Sequence, residues 1–150
     1  MSAQPNPVNF GIIDGFDIEG GSLLVGCGST SSCGASAIEV EYGHHWKIIN
    51  NYLHDSAAAG LQTGWMDYLL FRNNHVFNNA WLNASEYSGI STIIPWQVDA
   101  VSGYHYLLQN NFFWGNAMSS HILPNSDHTD GEGIILDTVG GQRSYSASIL

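Results

Sequence analysis

Two series of short motifs recur along this chain at one fixed offset, and that offset restricts the fold more than any other feature. Trp46-Lys-Ile-Ile-Asn-Asn-Tyr-Leu-His54, Leu69-Leu-Phe-Arg-Asn-Asn-His-Val-Phe77 and Tyr106-Leu-Leu-Gln-Asn-Asn-Phe-Phe-Trp114 each hold an Asn pair between apolar stretches. Gly11-Ile-Ile-Asp-Gly-Phe-Asp-Ile18 is a looser copy, with Gly15 where the second Asn stands. The other series sets a small residue before a branched apolar one: Ala37-Ile38, Gly60-Leu61, Gly89-Ile90 and Gly133-Ile134. Ile38 to Asn51 is 13 residues, as is Leu61 to Asn74, and Asn51 to Leu61 is 10, so the basic unit is 23 residues.

The longer intervals read as insertions into that unit. Ile90 to Asn111 is 21 residues, eight over, and Asn74 to Ile90 is 16, six over. Gly15 to Ile38 and Asn111 to Ile134 are both 23, each thirteen over the basic interval. Stacked repeats tolerate insertions at fixed corners, because a loop leaves the stack without disturbing it. An array of helical hairpins would instead show apolar stripes at a period of 3.6. None is present.

Composition supports β structure. Charged residues make up 11% of the 150 residues, against about a quarter in an ordinary domain. Asn, Ser, Gly and aromatic residues take their place, and amphipathic helices need more Lys, Glu and Arg than this chain holds. Apolar residues at 44% are enough for a core, and the length suits one domain. The only basic residues are Lys47, Arg72 and Arg143, and the formal net charge is −10. Nucleic acid is excluded as a partner, since basic side chains must displace counterions from its phosphates. An anionic membrane surface is disfavoured for the same reason, and no run of 18 apolar residues could span a bilayer. No apolar signal region follows Met1. Cys27 and Cys33 flank one Gly/Ser-rich segment, where a local disulfide is favoured over free thiols.

A Gly-Ile strand, an apolar strand ending in Asn-Asn and then another short strand together resemble the right-handed parallel β-helix proteins of the pectate-lyase-like group. Asp130-Gly-Glu-Gly-Ile-Ile-Leu-Asp137 also looks like the Asp-Gly-x-Gly-Ile segment of many bacterial members. The resemblance implies an all-β solenoid of about four coils. Residues 37–41, 60–63, 89–92 and 133–137 would form its first sheet, the stretches before each Asn pair a second, and Leu53, Val76 and Phe113 a third. Asn51, Asn74 and Asn111 would stack as an inward ladder at one corner. Residues 1–150 are then one domain, cut off at Ser148-Ile149-Leu150 as another second-sheet strand begins. Such an open end invites end-to-end self-association or a cap.

The same resemblance implies a secreted carbohydrate-active protein whose groove lies on the outward face of the first sheet. Counted from the inward residues of that sheet, one surface row holds Glu39, Gln62, Ser91 and Ile135, and another Gly34, Ala57, Glu86 and Asp130, with Glu132 two residues on. Neighbouring strands lie about 4.8 Å apart, so Glu86 and Asp130 are expected close together. Two such carboxylates could flank a glycosidic bond as acid and base or nucleophile. Alternatively, Asp127, Asp130 and Glu132 could bind Ca²⁺ as the cofactor. A lyase would need a base near the sugar C5 proton, and related lyases use Lys or Arg there. No Lys or Arg falls on this face, which leaves His128 as the substitute base. Trp65, Tyr87 and Trp96 border the first sheet and could stack on sugar rings, with Gln62 and Glu39 as polar contacts. The expected partner is a polysaccharide or oligosaccharide; a polyanionic one such as pectin or alginate would need bridging cations. Hydrolysis, elimination and binding without catalysis all stay open.

Overall fold

The 23-residue offset in the sequence is the pairing register of the two uninterrupted repeats, Ile38 on Leu61 and Tyr52 on His75, and insertions lengthen it elsewhere. The computed structural model describes residues 7–21, 36–81, 89–93, 95, 98–116 and 133–136. Among them the chain is all-β, and every strand pair is parallel. Cys27 and Cys33, and with them the expected disulfide, lie outside the described residues.

In chain order the strands are β1 (Ile12–Asp14), β2 (Asp17–Glu19), β3 (Ile38–Ile49), β4 (Tyr52–His54), β5 (Leu61–Arg72), β6 (His75–Phe77), β7 (Ile90–Ile93), β8 (Tyr106–Gln109), β9 (Phe112–Trp114) and β10 (Ile134–Leu136). They form two sheets. One runs β1-β3-β5-β7-β10, with β8 also paired to β5; the other runs β2-β4-β6-β9. Ile38 pairs with Leu61, Leu61 with Ile90 and Ile90 with Ile134, as the small-apolar series predicts.

The first and second expected sheets are one sheet, because the strand bends without breaking. β3 and β5 each run 12 residues through two sharp bends. Tyr42 and Trp65 take φ of 54° and 49°, and His45 and Tyr68 take 60° and 51°. Each pair is in the same register, so successive repeats turn in step and their hydrogen bonds survive the bend. After β5 this continuity is lost. β7 pairs with Leu61–Gly64 and β8 with Leu69–Arg72, and the eight-residue excess lies between them.

The Asn pairs divide their labour. Asn50, Asn73 and Asn110 take φ of 57°, 56° and 54°, a left-handed conformation that Asn tolerates better than most residues. Asn51, Asn74 and Asn111 turn inward as the expected ladder. The Asn74 Oδ1 accepts the Asn51 backbone N–H at 2.9 Å and its side-chain amide at 3.1 Å. The Asn111 Oδ1 does the same for Asn74. Each amide also donates to a carbonyl one repeat away: Asn74 to Ile48 and Asn111 to Phe71, both at 2.9 Å.

One alignment needs correcting. Ile13 pairs with Ile48 and Asp14 with Ile49, so Gly15 stands where the first Asn stands, not the second. Its φ of 76° matches that left-handed corner. Phe16 takes the ladder position, and its N–H donates to the Asn51 Oδ1 at 2.9 Å.

A second ladder, unread in the sequence, lies five residues further on. Asn79 Oδ1 accepts the Ser56 N–H, and Asn116 Oδ1 accepts the Asn79 N–H and amide. Their amides reach the carbonyls of Leu53 and Val76. Between the ladders lies the core: Ile38, Val40, Ile48, Leu53, Leu61, Met66, Leu69, Phe71, Val76, Ile90, Tyr106 and Leu108. Phe71 is fully buried and Leu108 nearly so, whereas Trp46 is only half-buried and donates its Nε1–H to the Val8 carbonyl.

At Gly60 and Gly89 the small residue before the branched apolar one marks a close approach. A Cβ on Gly60 would lie 2.6 Å from Val76 Cγ1, 2.9 Å from the Gly89 carbonyl oxygen and 3.0 Å from Asn79 Nδ2. Two of those atoms are held by hydrogen bonds between repeats, so they cannot yield freely. Gly60→Ala should therefore destabilise by about 1–3 kcal/mol, the usual cost of overpacking. Chemical denaturation checks this, with Gly64→Ala as the tolerated control. A Cβ on Gly64 meets only the Glu41 side chain, at 3.5 Å or beyond.

Candidate functional site

The outward row predicted from the sequence is in register. Glu39 pairs with Gln62 and Gln62 with Ser91, while Glu41, Gly64 and Ile93 follow two residues on. Glu39 and Glu41 are exposed. Gln62 is half-buried, and its Oε1 accepts a hydrogen bond from Ser36 Oγ at 3.2 Å. The small Gly64 leaves the Glu41 side chain room to lie across the neighbouring strand. β3 and β5 thus offer a polar track of Glu39, Glu41 and Gln62, with Ser91 in register on β7 and Ile135 on β10.

Trp65 stands where the track meets the first bend. Its ring lies flat on Tyr42, with centroids 4.6 Å apart and planes 3° from parallel. One face is therefore taken by a neighbouring ring. Glu86, Tyr87, Trp96, Asp127, His128, Asp130 and Glu132 lie outside the described residues. The expected carboxylate pairing and Ca²⁺ site rest on these positions. Among the described residues, no group of three His, Cys, Asp or Glu side chains could hold a metal ion.

The structure brings together a different cluster at the second bend. Asp67 is fully buried and His105 nearly so. Asp67 Oδ1 lies 2.7 Å from His105 Nδ1 and accepts the Tyr68 N–H at 2.9 Å. Its Oδ2 accepts the Val98 N–H at 2.8 Å. The other ring nitrogen, His105 Nε2, lies 3.0 Å from the Val101 carbonyl. Tyr68 stacks on His105 at 4.1 Å and donates its hydroxyl to Asp99 at 2.6 Å. That hydrogen bond, with burial and the charges of Asp99 and Asp67, pushes the Tyr68 pKa up to about 12. In return the phenol, together with the Val101 N–H, lowers the Asp99 carboxyl. Tyr68 stays protonated at ordinary pH and serves as a donor, not a nucleophile.

This cluster was legible only in part. His105 lies six residues before Asn111, as Tyr68 lies before Asn74 and His45 before Asn51. The register therefore stacks the three rings, with His45 on the other face of Tyr68 at 4.3 Å. That interval, read with the eight-residue insertion before it, was the available signal. That Asp67 takes hydrogen bonds from the insertion was not legible, because Val98 is 31 residues away.

A similar histidine sits on the other sheet. His54 Nε2 lies 2.8 Å from Asp17 and its Nδ1 2.6 Å from Asp55. Burial opposes a charge on His54, but hydrogen bonds to Asp55 and Asp17 and the fields of both carboxylates outweigh it and raise the pKa. For His105, burial again opposes, and the Val101 carbonyl and Asp67 again prevail. A histidine whose pKa rises on folding adds stability that is complete below its unfolded value of about 6.5. That stability is lost as pH rises through the folded pKa. The melting temperature should therefore fall from pH 6 to pH 8.5, and His54→Gln should flatten part of the fall. An equally steep fall in the variant would assign the dependence elsewhere.

Outside this bend, aromatic rings also stack along the second sheet. Tyr52, His75 and Phe112 form one column, with centroids 4.7 and 5.0 Å apart. His54, Phe77 and Trp114 form another, at 4.8 and 4.4 Å. Strand spacing sets this interval, so the rings face each other along the stack and turn their edges to solvent. Compared with models of known protein families, with curated proteins and with solved structures, the chain matches none.

Proposed function

We propose that the chain forms a right-handed parallel β-helix, similar to the pectate-lyase-like group, that engages a polysaccharide outside the cell. Parallel pairing in one register, 23 residues apart from β3 to β5 and lengthened by insertions elsewhere, with an Asn ladder at the corner, supports the fold. The observation that carries the functional reading is the polar track of Glu39, Gln62 and Ser91, one residue per strand. A surface that repeats with every strand suits a polymer that repeats with every sugar. On this reading Trp65 borders the track, and Glu86, Asp130 and Glu132 supply acid and base for hydrolysis, or His128 the base for elimination. Ca²⁺ at Asp127, Asp130 and Glu132 would bridge an anionic substrate to a face with exposed Glu39 and Glu41.

A second reading, a glycan-binding or structural module without catalysis, is favoured by Trp65, which spends one ring face on Tyr42. One experiment separates the two. The chain is incubated with a panel of neutral and acidic polysaccharides, with and without Ca²⁺, and assayed for reducing ends and for unsaturated uronate absorbance. Product that disappears in Asp130→Asn supports the enzyme. Binding without product, weakened at least about tenfold in Gln62→Ala, supports the module. Neither product nor binding across the panel refutes the carbohydrate reading.

A further inference from the structure

His105 holds the inserted segment in a way that depends on its protonation. The segment leaves the sheet after β7 and rejoins it at β8. Among its described residues Val98, Val101 and Tyr104 are exposed. Polar attachments hold these residues: Val98 N–H on Asp67, His105 on Asp67 and Val101, and Tyr68 on Asp99. Both acceptors of His105, a carboxylate and a carbonyl, lack a proton to give. Holding both at once requires an N–H on each ring nitrogen, which only the imidazolium has.

We propose that residues 98–105 form a strap fastened by the doubly protonated His105, so that raising the pH through neutrality loosens it. Neutral His105 keeps one N–H and can satisfy Asp67 or Val101, not both. Asp67 is the fully buried acceptor, so the ring keeps its N–H on that side, and the Val101 contact is the one released. The other titratable groups around the ring are consistent with this order. Asp99 faces it from the strap, Asp67 and Tyr68 from β5, and His45 from β3 across the Tyr68 ring. The strap stands at the end of the strand that carries Ser91, but its fastening is independent of any carbohydrate reading.

Amide hydrogen exchange of the whole chain at pH 5.5 and pH 8.5, corrected for intrinsic exchange rates, tests the strap. Protection of residues 98–105 should fall on the order of tenfold at the higher pH, the loss expected when a hydrogen bond to a charged group is given up, while Val76 and Phe71 in the core keep theirs. In His105→Gln the strap should exchange at the same corrected rate at both pH values. A pH effect that persists in this variant, or is absent from the parent chain, overturns the proposal. Should the variant fail to fold, the parent decides by nitrogen NMR of the His105 ring. Loss of the Nε2 proton must share its midpoint with the strap amide shifts. Separate midpoints overturn the proposal as well.

Discussion

Replacing Asn74 by Ala should cost about 3 kcal/mol or more and lower the melting temperature by roughly 6–12 °C, given about 2–4 °C per kcal/mol for a chain of this size. The side chain is fully buried and serves two repeats at once. Its Oδ1 satisfies the backbone and side chain of Asn51, and its amide satisfies the Ile48 carbonyl and meets Asn111. Ala leaves the Asn51 N–H and the Ile48 carbonyl without those partners, and each buried polar group so orphaned costs about 1–3 kcal/mol. The neighbouring Asn73 provides the contrast. It is exposed, holds φ at 56°, and donates its side-chain amide to Asn50 at the surface. Asn73→Gly keeps the left-handed conformation and should move stability by no more than about 0.5 kcal/mol. Urea denaturation of the two variants decides the matter. Equal losses would mean that the ladder is not what couples one repeat to the next.

Asp67→Ala should be as damaging, at about 3–5 kcal/mol. Removing one partner of a buried ion pair is strongly destabilising, and here the carboxylate removed faces His105 Nδ1. The Val98 and Tyr68 N–H groups lose an acceptor in the same step. His105 can shed part of the cost by giving up its proton, so the loss should be larger at pH 5.5 than at pH 8.5. Asp67→Asn keeps the shape and one acceptor oxygen and should cost less than half as much. Denaturation at the two pH values reads both quantities. If Asp67→Ala proved no worse than Asp67→Asn, the carboxylate would be a passenger at the bend, not its anchor.

Local chemistry and a constant interval were enough to determine the strand order. The small-apolar pairs and the Asn pairs recur because each unit must bury the same inward side chains against the one before, and parallel pairing then follows from the 23-residue offset. Asn51, Asn74 and Asn111 were legible for the same reason: a polar side chain flanked by core residues must find partners, and its copies are the nearest. The reading erred at Gly15 because a glycine carries no side chain to show which of two adjacent corner positions it fills. It missed the Asn79–Asn116 ladder because Ser56 interrupts the pattern in the second repeat.

What the sequence left open, tertiary structure decided. Whether two strand segments form two sheets or one depends on the φ of Tyr42, His45, Trp65 and Tyr68, residues with no strong preference for the left-handed region. Only the matching bend in the next repeat makes that conformation worth its strain. The Asp67–His105 contact spans 38 residues and an insertion whose path no periodicity describes. A repeat can be counted along a chain, because its copies meet in the same register and insertions only lengthen the interval between them. A site built where the repeat is interrupted has no offset to count, and its partners are set by how the insertion folds back on the stack.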